Sequence, residues 1–291
     1  PDGQVLDGDG EQGLMWIAAL VEGARVFEDE TYLDAARRAG GYYLPAIDDA
    51  YLTGAPEAMH LLPTSEDPQN AVIAYMRLYD ATNDPRWLDA ARKAAEFLMT
   101  YRWQYNTRFP ADSTLARYQF ATKGMDVSSP NNSHLHPFGL IAIPELIRLW
   151  DHTGDDYLLR QTRNNLQACT QIICWADGVY NGFRGMSTER FVQSDFDLPK
   201  GTLMQLAHSW TTGCLLYASR FVSEQASVCI DERTGRAVAL ESVELTHDAG
   251  RWAVTNPWDK PLTLHVRRRD TAGAITTREM QLPASGTATL D

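Results

Sequence analysis

DETYLDAAR at Asp29–Arg37 and DPRWLDAAR at Asp84–Arg92 are two copies of one phrase. Each opens on an acidic turn and continues into an amphipathic run. A looser third copy, TGDDYLLRQTRNNL, begins at Thr153. In each copy a more apolar helix ends in a short acidic turn and an amphipathic helix returns. The reading is a repeated antiparallel helical hairpin. Working outward, helices are expected from about Glu11 to Phe27, from Thr31, from Asp67-Pro68 through AVIAYMRLYDAT, and from about Gly201 to Glu224.

The chain has 291 residues, 44% of them hydrophobic, with a net charge of -12. That charge argues against nucleic acid and anionic membranes as partners. No apolar run reaches the length of a membrane span. Cys169, Cys174, Cys214 and Cys229 form no C-x-x-C pair and read as reduced core residues, not a metal site. Asp7 and Asp9 resemble a calcium loop, but its closing glutamate is missing, so no metal is expected. No nucleotide, haem or flavin motif is visible, and no cofactor is expected.

The candidate site centres on KGMDVSSPNNSHLHPFGLIAIPELIRLW, Lys123–Trp150. A polar loop gives way to an apolar helix, with Pro137 suited to its first position. Asp126, Asn131, Asn132, His134 and His136 then crowd one helix N-terminus, where free N–H groups suit hydroxyl-rich or anionic ligands. Turn building and capping explain any one of them, but not five together. The repeat puts other polar clusters at the same end: Asp7, Asp9 and Glu11; Glu66 and Asp67; and the loop before Gly201. Two long loops lead there, Gln104–Ser133 with Arg108, Arg117 and Tyr118, and Asp177–Lys200 with Tyr180, Arg184, Glu189, Arg190 and Asp195. Loops of that length in a helical domain are usually functional. His208 and Trp210 complete the expected pocket from the last helix.

After Glu224 the period shortens to two, with Asp-Lys-Pro, Ala-Gly and Ser-Gly turns. A small antiparallel β-sandwich is expected over 226–291, behind a helical catalytic region over 1–225. Its Arg267, Arg268 and Arg269 read as a solvated strand end.

The D-x-x-[YW]-L-D-x-A-R second helices resemble those of the six-hairpin (α/α) toroid superfamily. That resemblance covers about residues 11–224 and implies a carbohydrate-active enzyme acting on an oligo- or polysaccharide: a glycoside hydrolase, polysaccharide lyase or epimerase. The C-terminal segment resembles accessory β-sandwich modules of such enzymes. For hydrolysis, which needs two carboxyl groups, Glu66 is the acid candidate. Asp126 is the base candidate, because no regular element accounts for it, with Glu189 and Asp195 in reserve. Asp67 reads as a cap beside the substrate. For a lyase or epimerase, His134 or His136 with Tyr118 and Asn132 would abstract a proton. Arg108, Arg117, Arg184 and Arg190 would grip a uronate. A non-catalytic repeat protein is the third reading, and it predicts no converging carboxylates. Seven long helices fall short of the twelve of a full toroid. A missing N-terminal portion or another chain is therefore expected to complete the ring, with Leu14, Ile17, Leu215 or Leu216 under-buried.

Overall fold

The computed structural model describes residues 13–54, 62–129, 134–193, 199–204, 209–248 and 250–290. Asp7, Asp9, Glu11, Asn131, Asn132, Asp195 and His208 lie outside them.

Among the described residues seven long helices carry the first part of the chain: α1 Leu14–Phe27, α2 Glu30–Asp48, α3 Glu66–Thr82, α4 Pro85–Met99, α6 Ile143–Thr153, α7 Asp156–Cys169 and α8 Ser209–Gln225. A short α5, Thr114–Arg117, sits in the first long loop. The repeated phrase works through a two-residue linker used three times. Glu28, Asn83 and Gly154 close the first helix of each hairpin in the left-handed region, at φ 53°, 54° and 67°. Each gives its N–H to the carbonyl four residues back, on Ala24, Tyr79 and Trp150. The next residue, Asp29, Asp84 or Asp155, is extended and caps the second helix, accepting from Thr31 N, Arg86 N or Tyr157 N at 2.9, 3.0 and 2.9 Å.

The hairpins stand side by side. α1 packs on α3, α3 on α6 and the 3₁₀ turn Phe138–Ala142 before it, and that turn on α8; α2, α4 and α7 return on the outside. Trp87 and Tyr75, both buried, stack at 5.9 Å, and Tyr75 donates to the carbonyl of Gly40 at 3.0 Å. A side chain at Gly40 would strike Leu78, so the bare backbone of α2 packs on the Leu78 side chain of α3 there. Leu14 and Ile17 are fully buried, against expectation, because α1 folds them onto α2 and α3. Leu216 is 64% exposed, with Tyr217 half-exposed beside it.

The two long loops are not loops throughout. They build a four-stranded antiparallel sheet in the order β1 Asp126–Val127, β2 His134–His136, β3 Arg190–Val192 and β4 Leu203–Met204. Where the last helix was expected to begin, Leu203–Met204 form strand β4, and α8 is described from Ser209.

After α8 come β5 Val228–Asp231, β6 Arg236–Ala239, β7 Glu244–Asp248, β8 Arg251–Thr255, β9 Leu262–Arg269, β10 Ile275–Leu282 and β11 Thr287–Leu290. They form two sheets, β10-β9-β5-β6 and β11-β8-β7, sharing one apolar cluster that includes Val228, Leu264, Val254 and Leu290. The module is not purely antiparallel, because β5 runs parallel to β9. Arg267 and Arg269 are not solvated, which corrects the sequence expectation. Arg267 grips Asp151 of α6 through two bonds of 2.8 and 2.5 Å. Arg269 Nε donates to the Asp151 carbonyl at 3.0 Å, and its Nη1 reaches Asp231 at 3.4 Å. Gly154 lies under that guanidinium, with room for no side chain. The sheet thus clasps the third hairpin linker.

Candidate functional site

Strand alternation gives the four-stranded sheet two unlike faces. Paired residues share a face, and the pairs are Asp126 with His136, His134 with Val192, and Leu135 with Phe191. Asp126, His134, His136 and Arg190 therefore lie on one face. Val127, Leu135, Phe191 and Leu203 lie on the other and enter the apolar core. The core side holds the sheet in place and leaves the polar side to converge with the start of α3.

That convergence is built from bonds. Ser65 N donates to the Ser128 carbonyl at 2.8 Å, which ties the start of α3 to the end of β1. Ser65 Oγ and His136 Nε2 lie 3.1 Å apart. His136 Nδ1 accepts from Phe138 N at 3.3 Å, so Nε2 carries the ring proton and donates to Ser65. Glu66 follows Ser65 as the first residue of α3 and is 7% exposed. Glu189 is equally buried, with its Oε1 3.0 Å from Arg190 Nε. Phe138 meets His136 and, edge-on, Trp210 of α8, at 6.2 and 5.7 Å between ring centres. Four stretches of chain thus meet: Ser65–Glu66, Asp126, His134–Phe138 and Glu189–Arg190.

Burial sets the histidines' chemistry. His136 is pulled down to about 4 by burial, which outweighs the opposing fields of Asp126 and Glu189; Arg190 adds to the drop. His134 falls to about 2, again first through burial, then through His136 and Arg190. Both imidazoles are neutral in ordinary buffers. They sit on a strand and not at the helix start expected from the sequence; the α-helix behind them starts at Ile143 with Pro144 in its first turn, not at Pro137.

Asp126 is fully buried and held by two parallel bonds from Arg102, Nε to Oδ1 at 2.8 Å and Nη2 to Oδ2 at 2.9 Å. Gln69 Nε2 approaches at 3.5 Å, and a side chain at Gly139 would fall on Oδ2. A regular element and a dedicated cation therefore account for Asp126, contrary to the ground on which it was the base candidate. Asp67 is no N-cap. It lies one residue inside α3 and reaches back to Thr64 N at 2.6 Å.

The remaining candidates do not join this face. Tyr118 and Tyr180 pack on each other at 5.0 Å, and Tyr180 meets Phe191 on the sheet's apolar side. Tyr118 spends its hydroxyl on the Gly178 carbonyl at 3.1 Å. Arg108, Arg117 and Arg184 are exposed. Of the four loop arginines only Arg190 reaches the cluster.

One concavity was not expected: a cavity of about 810 Å³ opens among the helices, walled by α1, the start of α2, α3, Ile141, α6 and α8. Arg77 Nη2 stands 2.7 Å from Oε1 of Glu145, which is 1% exposed. Arg102 in LMTYRW is a lone charge in an apolar run, and Glu145 shares IPELIRLW only with Arg148. That pattern is the signal that could have marked both as buried polar residues.

No protein-family model matches the chain, and no curated protein matches it. Among solved structures it is similar to the unsaturated glucuronyl hydrolase of Streptococcus agalactiae, at 16% identity over 69% of this chain and 43% of that one, TM-score 0.48. It is similar to the unsaturated glucuronyl hydrolase of a Bacillus species at 18% identity, 70% and 47% coverage and TM-score 0.47. A GH127 β-L-arabinofuranosidase from Geobacillus stearothermophilus is similar at 14% identity, 99% and 55% coverage and TM-score 0.45. The chain spans about half the length of these structures. All three are glycoside hydrolases, the class that the hairpin repeat resembles.

Proposed function

We propose that this chain is the helical-hairpin region, with its β module, of a glycoside hydrolase, and that its chemistry belongs to the polar face of the four-stranded sheet. The observation that supports the reading is that Ser65, the residue before Glu66, lies 3.1 Å from His136, whose buried ring feels the charges of Asp126, Glu189 and Arg190. A non-catalytic repeat protein has no use for buried carboxyl groups gathered so.

Glycoside hydrolysis needs two carboxyl groups flanking the bond. Glu66 is assigned as the proton donor to the leaving oxygen. Asp126 is committed to Arg102, so the second role passes to Glu189, oriented by Arg190. Asp126 then serves as a fixed anion that organises the floor. His136, locked in one tautomer by Phe138 and Ser65, holds the strand against the start of α3 and so sets where Glu66 stands. Arg190 is the group able to meet an acidic sugar. The lyase reading has less support. An imidazole held at about 4 or about 2 is a weak acceptor for a proton beside a carboxylate, and Tyr118 lies on the sheet's other side.

The reactions differ in where water goes. Turnover in heavy-oxygen water should place solvent oxygen in the product and create no new carbon–carbon double bond. An unsaturated product without solvent oxygen would replace the hydrolase with a lyase.

A further inference from the structure

We propose that the groove between α7 and the β module is a binding site for a carboxylated sugar, a uronate unit, laid on Trp252 and held by the guanidinium groups of Arg160 and Arg236. It goes beyond the hydrolase reading, because no step of that chemistry passes through it. The groove has a volume of about 340 Å³ and is walled by Asp156 and Arg160 of α7, Arg236 and Val238 of β6, His247 of β7 and Trp252 of β8. That volume falls within the range of small-ligand sites, at its lower end. The groove shares no lining residue with the polar face of the four-stranded sheet.

Three observations carry the site. The first is an aromatic shelf. His247 and Trp252 are direct cross-strand partners, and their rings stack at 4.6 Å with 30° between the planes. Leu290 pairs with Trp252 and Val254 follows it by two, so strand parity puts the rings on the core face of the module. At this pair the core face opens: His247 is exposed and Trp252 is only half-buried. The negative face of an aromatic ring attracts the C–H bonds of a sugar.

The second is a cation already set in place. Asp156 is buried, and Arg236 Nη1 donates to its Oδ2 at 3.0 Å. That bond fixes the guanidinium, yet the Arg236 side chain stays 65% exposed. Its other N–H groups are open to a second carboxylate. The third is a cation with nothing to hold. Arg160 stands one helical turn after Asp156, on the same side of α7. It is exposed and enters no hydrogen bond or ion pair among the described residues. Asp156 is the one carboxylate in the lining, and Arg236 occupies it. A chain of net charge -12 thus gathers positive charge at this groove. Two guanidinium groups call for a carboxylate and the shelf calls for a ring with C–H faces, and a uronate carries both. A neutral sugar leaves the cations unanswered. A flat aromatic acid would meet the indole face to face, which is the less favoured arrangement.

The test is NMR titration of the full chain with methyl β-D-glucuronide, with methyl β-D-glucoside, acetate and benzoate as controls. Saturable binding of the glucuronide is expected, with shifts at the Trp252 indole, in β6 and in the first turns of α7. Each control lacks the carboxylate or the saturated ring and should bind about tenfold more weakly or worse. Arg160→Ala removes an exposed side chain that bonds to nothing, so it should keep the parent melting temperature while weakening the glucuronide about tenfold or more. His247→Ala takes away half of the shelf and should weaken it roughly two- to tenfold. Binding should persist in Glu66→Gln, so failure of the hydrolase reading leaves this site standing. The proposal is overturned by no saturation with the glucuronide, by equal or tighter binding of any control, or by unchanged affinity in Arg160→Ala. Shifts confined to the four-stranded sheet, or loss of binding in Glu66→Gln, would also overturn it by moving the ligand to the other site.

Discussion

The hairpin linkers and the four-stranded sheet hold their shape in opposite ways. A linker is local. Two residues, one left-handed and one extended aspartate, end a helix and start the next, and the capping bonds they make lie within four residues. The sheet is long-range. Its four strands come from two regions far apart in the chain, 126–136 and 190–204, its polar face buries Asp126 on Arg102, and its anchor to α3 joins Ser65 to His136 across 71 positions. A local device tolerates damage because each copy is worth little. A buried polar network fails as a unit, because each lost partner strands another polar group. The forgiving region is scaffold, and the unforgiving one carries the candidate chemistry.

The sharpest way to break the contrast is Arg102→Ala. It leaves Asp126 buried without its cation and should cost about 3–5 kcal/mol. Replacing both members with apolar residues of similar volume should recover most of that loss. Urea denaturation of the two variants measures both effects. A loss below about 1 kcal/mol would mean that the pair is no more than a surface bridge.

The pH dependence is next in size. Above about pH 6.5 both imidazoles are neutral whether folded or not, and their contribution is complete. Below it the unfolded chain takes up protons that the buried rings refuse. Stability then falls as pH falls, by about 1.4 kcal/mol per pH unit for each histidine. The window runs from 6.5 to about 4 for His136 and to about 2 for His134. His136→Gln should flatten the slope between pH 6.5 and about 5. A wild-type chain equally stable across that range would contradict the burial of both rings.

The linkers should respond mildly. Asp84→Ala removes a cap at 3.0 Å and should cost about 1 kcal/mol, with Asp29→Ala and Asp155→Ala similar. Combined, the three should add, as independent copies must. Strong non-additivity in thermal unfolding would show that the hairpins are coupled. Smallest of all, Glu28 adopts φ 53° with a side chain, so Glu28→Gly should stabilise by about 0.5 kcal/mol. A drop in melting temperature would give that glutamate a contact role.

The same contrast decides what could be read in advance. The DETYLDAAR and DPRWLDAAR phrases hold a complete local instruction, so the hairpins were legible. The sheet was not, because its strands are two or three residues long, too short for a period of two to stand out. Its pairing also depends on segments far apart. The cluster of His134, His136, Asp126 and Glu66 was found through its polarity, but was assigned to a helix end because Pro137 fits a first turn as well as Pro144 does. Asp126 looked unclaimed because its partner, Arg102, stands 24 positions earlier. Loop membership puts Tyr118 and Tyr180 beside the histidines, whereas the packing of Tyr180 on Phe191 and of Tyr118 on Tyr180 puts them at the sheet's apolar side. The β module's period was plain, but the parallel β5–β9 pair and the grip of Arg267 and Arg269 on α6 depend on tertiary contact alone.

The central claim is that Glu66 and Glu189, at the polar face of the sheet, are the working carboxyl pair. The direct measurement is saccharide turnover by Glu66→Gln and Glu189→Gln, each set beside its melting temperature. Loss of the acid or base should lower kcat by about 10²–10⁴-fold, with the melting temperature close to that of the parent. Full turnover in either variant, or a loss matched by unfolding, would contradict the account.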